Sequence, residues 1–245
     1  MSEDKKWFES WFDTRYYHLL YRNRDEREAG NFLDTLFGHI SLIEGAEVLD
    51  LACGKGRHAV YMAKKGLNVT GYDLSPSNIS EANKWAHEHL HFYIRDMRDD
   101  LGKEKFDAVF NLFTGFGYFE TDEENFSVFQ RIYEALKPGG LFIFDYLNAE
   151  STRLFTEQTM VQKIEGIDFT TRKNLKGKKV IKEIEVIDGG QKFHFQEEVT
   201  LYPVQEIEAA LVSLGFQELQ KFGDYTLGAY TAQSPRMVLI CRKGN

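Results

Sequence analysis

The 245-residue sequence is poor in cysteine, in proline and in long apolar runs, and each shortage removes a class of protein. Two cysteines, Cys53 and Cys241, cannot build a disulfide framework, which fits folding in a reducing cytoplasm. Only four prolines punctuate the chain, and no fixed-period repeat or low-complexity tract is visible, which sets aside solenoids and disordered linkers. No uncharged apolar run is long enough to span a bilayer, and the opening residues MSEDKKWFES lack the apolar core of a signal peptide. A soluble, cytoplasmic chain with no membrane partner is the expectation. Positive charge is in deficit: 30 Lys and Arg against 38 Asp and Glu leave a formal charge of −8, which disfavours a surface built to track nucleic-acid phosphates. No Cys or His cluster has metal-ligand spacing, so no metal is expected.

What is present is organised as one domain over 1–245, long enough for a sizeable core. Residues 4–21 place Trp7, Phe8, Trp11, Phe12, Tyr16, Tyr17, Leu20 and Tyr21 three and four apart, predicting one amphipathic helix with a broad aromatic face. A second helix is expected over 25–37, capped by Asn23 with Glu26 three residues on. These form a helical cap over 1–40.

From Glu47 the pattern alternates: strands at 48–51, 67–72, 91–94, 106–112 and 141–146, and helices at 59–65, 75–89 and 123–136. The last of these helices stops at Lys137-Pro138-Gly139-Gly140, where proline and glycine cannot continue it. Such alternation implies an α/β, Rossmann-like, doubly wound parallel sheet over 41–148, with ligands beyond the carboxyl ends of its strands. Residues 149–202 change rhythm. Alternating β-branched runs, broken at Asn174-Leu175-Lys176-Gly177 and Asp188-Gly189-Gly190, read as an antiparallel insertion, either a lid or a dimer contact. A helix at 203–214 and strands at 216–222 and 237–242 return the chain, over 203–245, to the core sheet.

The most informative segment is VLDLACGKGRHA, Val48 to Ala59, where strand, glycine-rich turn and helix start follow one another. Gly54 and Gly56 permit positive φ and close approach of a ligand to main-chain N–H groups. The next strand ends at Asp73, placed to hydrogen-bond both hydroxyls of a ribose. Asp50, ahead of the glycines, would repel a pyrophosphate but suits a ligand carrying an ammonium or sulfonium charge.

On these residues the chain resembles the class I S-adenosylmethionine-dependent methyltransferases. Val48 to Ala59 resembles the family's first motif, and VTGYDLS, Val69 to Ser75, the segment with the ribose-binding acid. Asp96-Met97 resembles the adenine-contacting pair, NLFTGFGYF, Asn111 to Phe119, the loop lining the transfer pocket, and LKPGG the turn before the fifth strand. The resemblance implies a seven-stranded mixed sheet with its last strand antiparallel. It also implies S-adenosylmethionine as donor and S-adenosylhomocysteine as product.

Carried over by position, Asp50, Ala52 and Gly54 lie against the methionine moiety, Asp73 and Leu74 hold the ribose, and Asp96 and Met97 hold adenine. Cys53, Gly56, Ser75, Asn111 and Phe113 complete the expected cofactor site. Leu112 and Phe113 stand where enzymes acting on base or glutamine amides carry N-P-P-[YF], which turns the reading away from those acceptors. The insertion resembles the β-rich lid of methyltransferases acting on small amines. Alternation puts Phe193, Phe195, Val199 and Leu201 on one face and His194, Gln196 and Tyr202 on the other, and either could face the pocket.

Methyl transfer from a sulfonium rests on positioning, so a dedicated base is optional and no catalytic residue is assigned. Tyr17, Tyr118 and His194 are the candidates for removing a proton, and Tyr17, Tyr21, Thr114, Phe116, Tyr118 and His194 are the expected substrate pocket. Arg57 and His58 either orient the glycine loop or face solvent. The basic run Arg172, Lys173, Lys176, Lys178 and Lys179 reads as a solvated hairpin tip. The expected partner is a small-molecule methyl acceptor bound at nitrogen or oxygen, with monomer and homodimer both open. An RNA or protein methyltransferase and a non-catalytic cofactor-binding module are the alternatives.

Overall fold

A computed structural model of the chain describes residues 6–22, 26–154 and 158–244. Helices α1 (Trp7–Trp11), α2 (Arg15–Leu20) and α3 (Glu26–His39) precede the first strand. The single aromatic helix expected over 4–21 is broken after Trp11. The Thr14 side chain accepts a hydrogen bond from the Tyr17 N–H at 3.1 Å and so starts a new helix. Residues 4 and 5 of that helix, and the expected cap at Asn23, lie outside the described residues.

The core then alternates through β1 (Glu47–Leu51), α4 (Arg57–Lys64), β2 (Asn68–Asp73), α5 (Pro76–Ala82), β3 (Leu90–Ile94), β4 (Phe106–Asn111), α6 (Asp122–Ala135) and β5 (Leu136–Leu147). Helix α5 ends well short of residue 89. Residues 83–89 are all exposed, so no packing supports further turns, and a 3-10 turn over Asn83–Trp85 closes it. The LKPGG segment is the bulged start of β5 rather than a turn ahead of it: Leu136 pairs with Phe106, and Gly139 takes φ 74° at the kink.

After α7 (Ala149–Leu154) come β6 (Gln158–Ile164), β7 (Ile167–Lys176), β8 (Lys179–Asp188) and β9 (Gln191–Thr200), then α8 (Val204–Leu214), β10 (Phe216–Phe222) and β11 (Arg236–Lys243). The main sheet has seven strands in the order β10-β11-β5-β4-β1-β2-β3, parallel except that β11 runs antiparallel to both β5 and β10. Strands β6 to β9 form a separate four-stranded antiparallel meander. Its turns follow backbone chemistry: Gly177 at φ 60° opens one, Gly189 and Gly190 at 56° and 81° make another. A third, Glu165-Gly166, escaped the sequence reading because a glutamate takes a positive φ of 51° there.

Strands β1, β4 and β5 are buried on both faces, as parallel strands between helix layers must be. Leu49, Val109 and Phe144 meet Phe129, Ile132 and Ile207 of α6 and α8 on one side, while Val48, Phe110 and Ile143 meet Leu36, Ala59 and Met62 of α3 and α4 on the other. The meander builds a satellite core, burying Phe169, Ile184 and Val186 against Trp11 and Tyr16 of the aromatic segment. Its base is tied to the β4–α6 loop by Thr200 N–H donating to the Gly117 carbonyl at 2.8 Å.

Candidate functional site

A cavity of ≈690 Å³ opens beyond the carboxyl ends of β1 to β4, where the strand order reverses about β1. Core loops supply one wall: Ala52, Cys53, Gly54 and Lys55 after β1; Asp73, Leu74, Ser75 and Asn78 after β2; Arg95, Asp96 and Met97 after β3; Leu112, Phe113, Gly115, Tyr118 and Phe119 after β4. The aromatic segment supplies the facing wall with Phe8, Glu9, Phe12, Tyr17, His18, Tyr21 and Arg22.

The core loops are fixed by backbone strain and buried hydrogen bonds. Ala52, Gly54 and Gly56 take φ of 62°, 55° and 83°, so even the alanine holds a left-handed conformation. A side chain cannot be added at Gly56, where a Cβ would lie 2.6 Å from Phe92 Cζ. At Gly54 a Cβ would meet nothing within 4 Å, which leaves its backbone open to a ligand. Asp73 accepts from the Gly54 N–H at 2.8 Å and the Ser75 N–H at 2.9 Å, coupling the first two loops; burial raises its pKa against the pull of those N–H groups. Burial also works on Asp96, but Arg98, donating from both guanidinium and backbone, holds its pKa below the ordinary value.

Six residues expected in the site do not line the cavity. Asp50 lies beneath the glycine loop, where it accepts from the Ala59 N–H at 3.1 Å, and burial pushes its pKa up to about 7. Gly56 starts α4. Asn111 props the loops from below, donating to the carbonyls of Leu51 and Gly115, both at 3.1 Å. The Thr114 hydroxyl accepts from Arg236 at 2.8 Å, and Phe116 is stacked on Phe129 with ring centres 4.6 Å apart. His194 is the plainest correction. It sits exposed on the outer face of the meander beside Arg172, Glu183 and Glu185, because the opposite face carries Phe193 and Phe195 against Tyr16 and Trp11. Neither face of β9 reaches the cavity; the aromatic segment stands between.

That segment is held by polar contacts invisible to periodicity. Asp13 accepts from the Ser75 hydroxyl at 2.5 Å and from the Ser77 hydroxyl. Glu197 of β9 accepts from Trp11 Nε1 at 2.7 Å and from the Tyr21 hydroxyl, itself bonded to Lys182 at 2.7 Å. A second unanticipated device supports the β4 loop. Phe113 and Thr114 take φ of 57° and 68° in succession. The fully buried Asp145 holds them there, accepting from the Phe113 N–H at 2.7 Å while paired with Arg236 at 2.7 Å.

Two histidines in the walls escaped the sequence reading as pocket residues. Burial and the nearby Lys55 lower the pKa of His18 to about 4. His58, buried in the first turn of α4, packs its ring 4.9 Å from that of Phe113, and burial lowers its pKa too. Among the described residues, buried side-chain polar atoms without a hydrogen-bond partner are His58 Nε2, Asn78 Oδ1 and Asn111 Oδ1, all in or directly below this cavity. Unsatisfied buried groups are costly, and their gathering here marks a site that a polar ligand completes. No group of three or more His, Cys, Asp or Glu among the described residues could hold a metal.

An adenosyl donor fits this chemistry: a buried acid beside an open glycine backbone for a ribose, an acid–methionine pair one strand further out for a base, and orphaned polar atoms around them. Fold and cavity together define a Rossmann-like methyltransferase. The family model described as a methyltransferase domain matches residues 48–140. The putative methyltransferase YqeM of Bacillus subtilis is 30% identical over 214 residues, covering 83% of this chain and 86% of that protein. The chain belongs to the class I S-adenosylmethionine-dependent methyltransferases. A methyltransferase structure from Clostridium acetobutylicum superposes with TM-score 0.80 at 22% identity, over 94% of this chain and 96% of that one. The sugar N-methyltransferase KedS8 from Streptoalloteichus superposes with TM-score 0.73 at 25% identity, over 94% and 93%.

Proposed function

We propose that the chain methylates a nitrogen or oxygen of a small molecule. The carrying observation is the size of the cavity. Its ≈690 Å³ is within the range of small-molecule sites, about 300–1,000 Å³, and the donor takes part of it, leaving room for a compact acceptor. Likeness to KedS8 supports an amine as the acceptor. Two residues of the basic run pair with acids of this chain, Lys178 with Asp122 and Lys179 with Glu198, and no meander residue lines the cavity.

Bound S-adenosylmethionine supplies an activated methyl carbon on a sulfonium. The chain's part is to align an acceptor and exclude water, which the ring faces of Phe8, Phe12, Tyr17 and Tyr118 suit. With a pKa near 4, His18 is neutral at physiological pH and can accept a hydrogen bond from an acceptor amine or hydroxyl, although it is too weak a base to retain the proton. The test is transfer of labelled methyl groups from S-adenosylmethionine to a panel of small amines, small hydroxyl compounds, peptides and RNA. Label in the small amines or hydroxyl compounds supports the reading; label confined to RNA or peptide overturns it.

A further inference from the structure

The donor's direction in the cavity follows from the strand order. With Asp96 after β3 at one edge, Asp73 after β2 next and the glycine loop after β1 beyond, a donor held as the resemblance implies would run base, ribose and amino-acid tail in sequence toward β4. His58 lies at that far end, against Phe113 of the β4 loop. It is 5% exposed, lines the cavity and leaves Nε2 without a hydrogen-bond partner. Positive groups gather here: Arg57, paired with Glu28 at 3.3 Å, holds its guanidinium 4.1 Å from the Phe113 ring centre, Lys55 lines the same wall, and α4 begins here above Asp50, which accepts from the Ala59 N–H at 3.1 Å.

A zwitterionic amino-acid tail entering this corner presents its carboxylate to the positive groups. We propose that His58 is the donor-anchoring residue, its Nε2–H donating a hydrogen bond to the carboxylate of the donor's amino-acid tail. This assignment rests on the donor reading above and adds a residue to it. It also accounts for an orphaned nitrogen that an apolar side chain of similar size would replace at no cost to the fold.

The test compares two ligands that share the adenosyl group: S-adenosylhomocysteine, which has the amino-acid tail, and 5′-methylthioadenosine, which lacks it. By calorimetry, His58→Leu weakens S-adenosylhomocysteine about tenfold or more, in the range of a hydrogen bond to a charged group, and leaves 5′-methylthioadenosine within about twofold. His58→Gln, which keeps an N–H donor, recovers part of the loss. The thermal midpoint of ligand-free His58→Leu stays level or rises.

Equal weakening of both ligands overturns the proposal in favour of a purely structural role. Unchanged affinity for both overturns it as well. If wild-type protein binds neither ligand, the donor reading itself fails. Should His58→Leu not fold, ¹⁵N-histidine spectra of the wild type decide: the His58 Nε2 resonance, assigned through His58→Gln, moves with S-adenosylhomocysteine and not with 5′-methylthioadenosine. Movement with both, or with neither, contradicts the assignment.

Discussion

The two walls of the cavity are built by different means. The core-loop wall is made of backbone: left-handed residues at Ala52, Gly54, Phe113 and Thr114, and carboxylates locked by N–H groups two to nine residues away or across the sheet. The facing wall is made of side chains on two helices of five and six residues, too short to be stable alone and held by contacts to the meander behind them. Under the proposed function the rigid wall holds the donor and the aromatic wall holds the acceptor. The four-stranded meander serves as backing for that second wall.

Three perturbations separate the walls. The largest concerns Arg236→Met, which leaves the fully buried Asp145 without its cation. Loss of one partner of a buried pair costs about 3–5 kcal/mol, so a denaturant melt is expected to show a loss of this size, partly restored by adding Asp145→Asn. A loss below about 1 kcal/mol would mean that the β4 loop does not depend on this pair.

The next is a pH effect within the rigid wall. Asp50 has its pKa raised to about 7 in the folded state, so the folded protein binds more protons than the unfolded chain between roughly pH 4 and 7. Stability therefore falls as pH rises through that window, by on the order of 4 kcal/mol. In Asp50→Asn this contribution is absent, and the wild-type-minus-variant stability difference traced across the window checks it. A difference that grows with pH would reverse the sign and contradict the account.

The smallest belongs to the aromatic wall. Tyr21→Phe removes the hydroxyl shared with Glu197 and Lys182 and is expected to cost about 1–2 kcal/mol in chemical denaturation, since Glu197 keeps Trp11. A cost near zero would show that the segment is held by ring packing alone.

How legible each wall was in the sequence follows from the same difference. Strand and helix periods, the glycine turn and Asp73 are local signals, and they point to the loops that form the rigid wall. Pairings across long sequence separations carry no such signal. Nothing near Asp145 announces Arg236, 91 residues on, and nothing near Trp11 announces Glu197, 186 residues on. The expectation that His194 belongs to the substrate pocket failed for this reason: alternation gives two faces of β9 but not which face meets the aromatic segment. Within the loops, spacing put Asn111, Thr114 and Phe116 in the site itself, but they stand outside the cavity lining. It could not tell residues that line the space from residues that hold those lining it. Thr14 was legible in principle, since a threonine three residues before Tyr17 is a helix-start signal, but the aromatic periodicity across it was the louder pattern.

The most direct test of a donor wall distinct from an acceptor wall is the affinity for S-adenosylhomocysteine, by calorimetry, of Asp73→Asn and Tyr21→Phe beside the wild type. Asp73 couples two core loops, whereas the Tyr21 hydroxyl joins the aromatic segment to the meander. The account predicts a loss of about tenfold or more for Asp73→Asn and a change within about twofold for Tyr21→Phe. Comparable losses in the two variants, or an undisturbed Asp73→Asn, would contradict it.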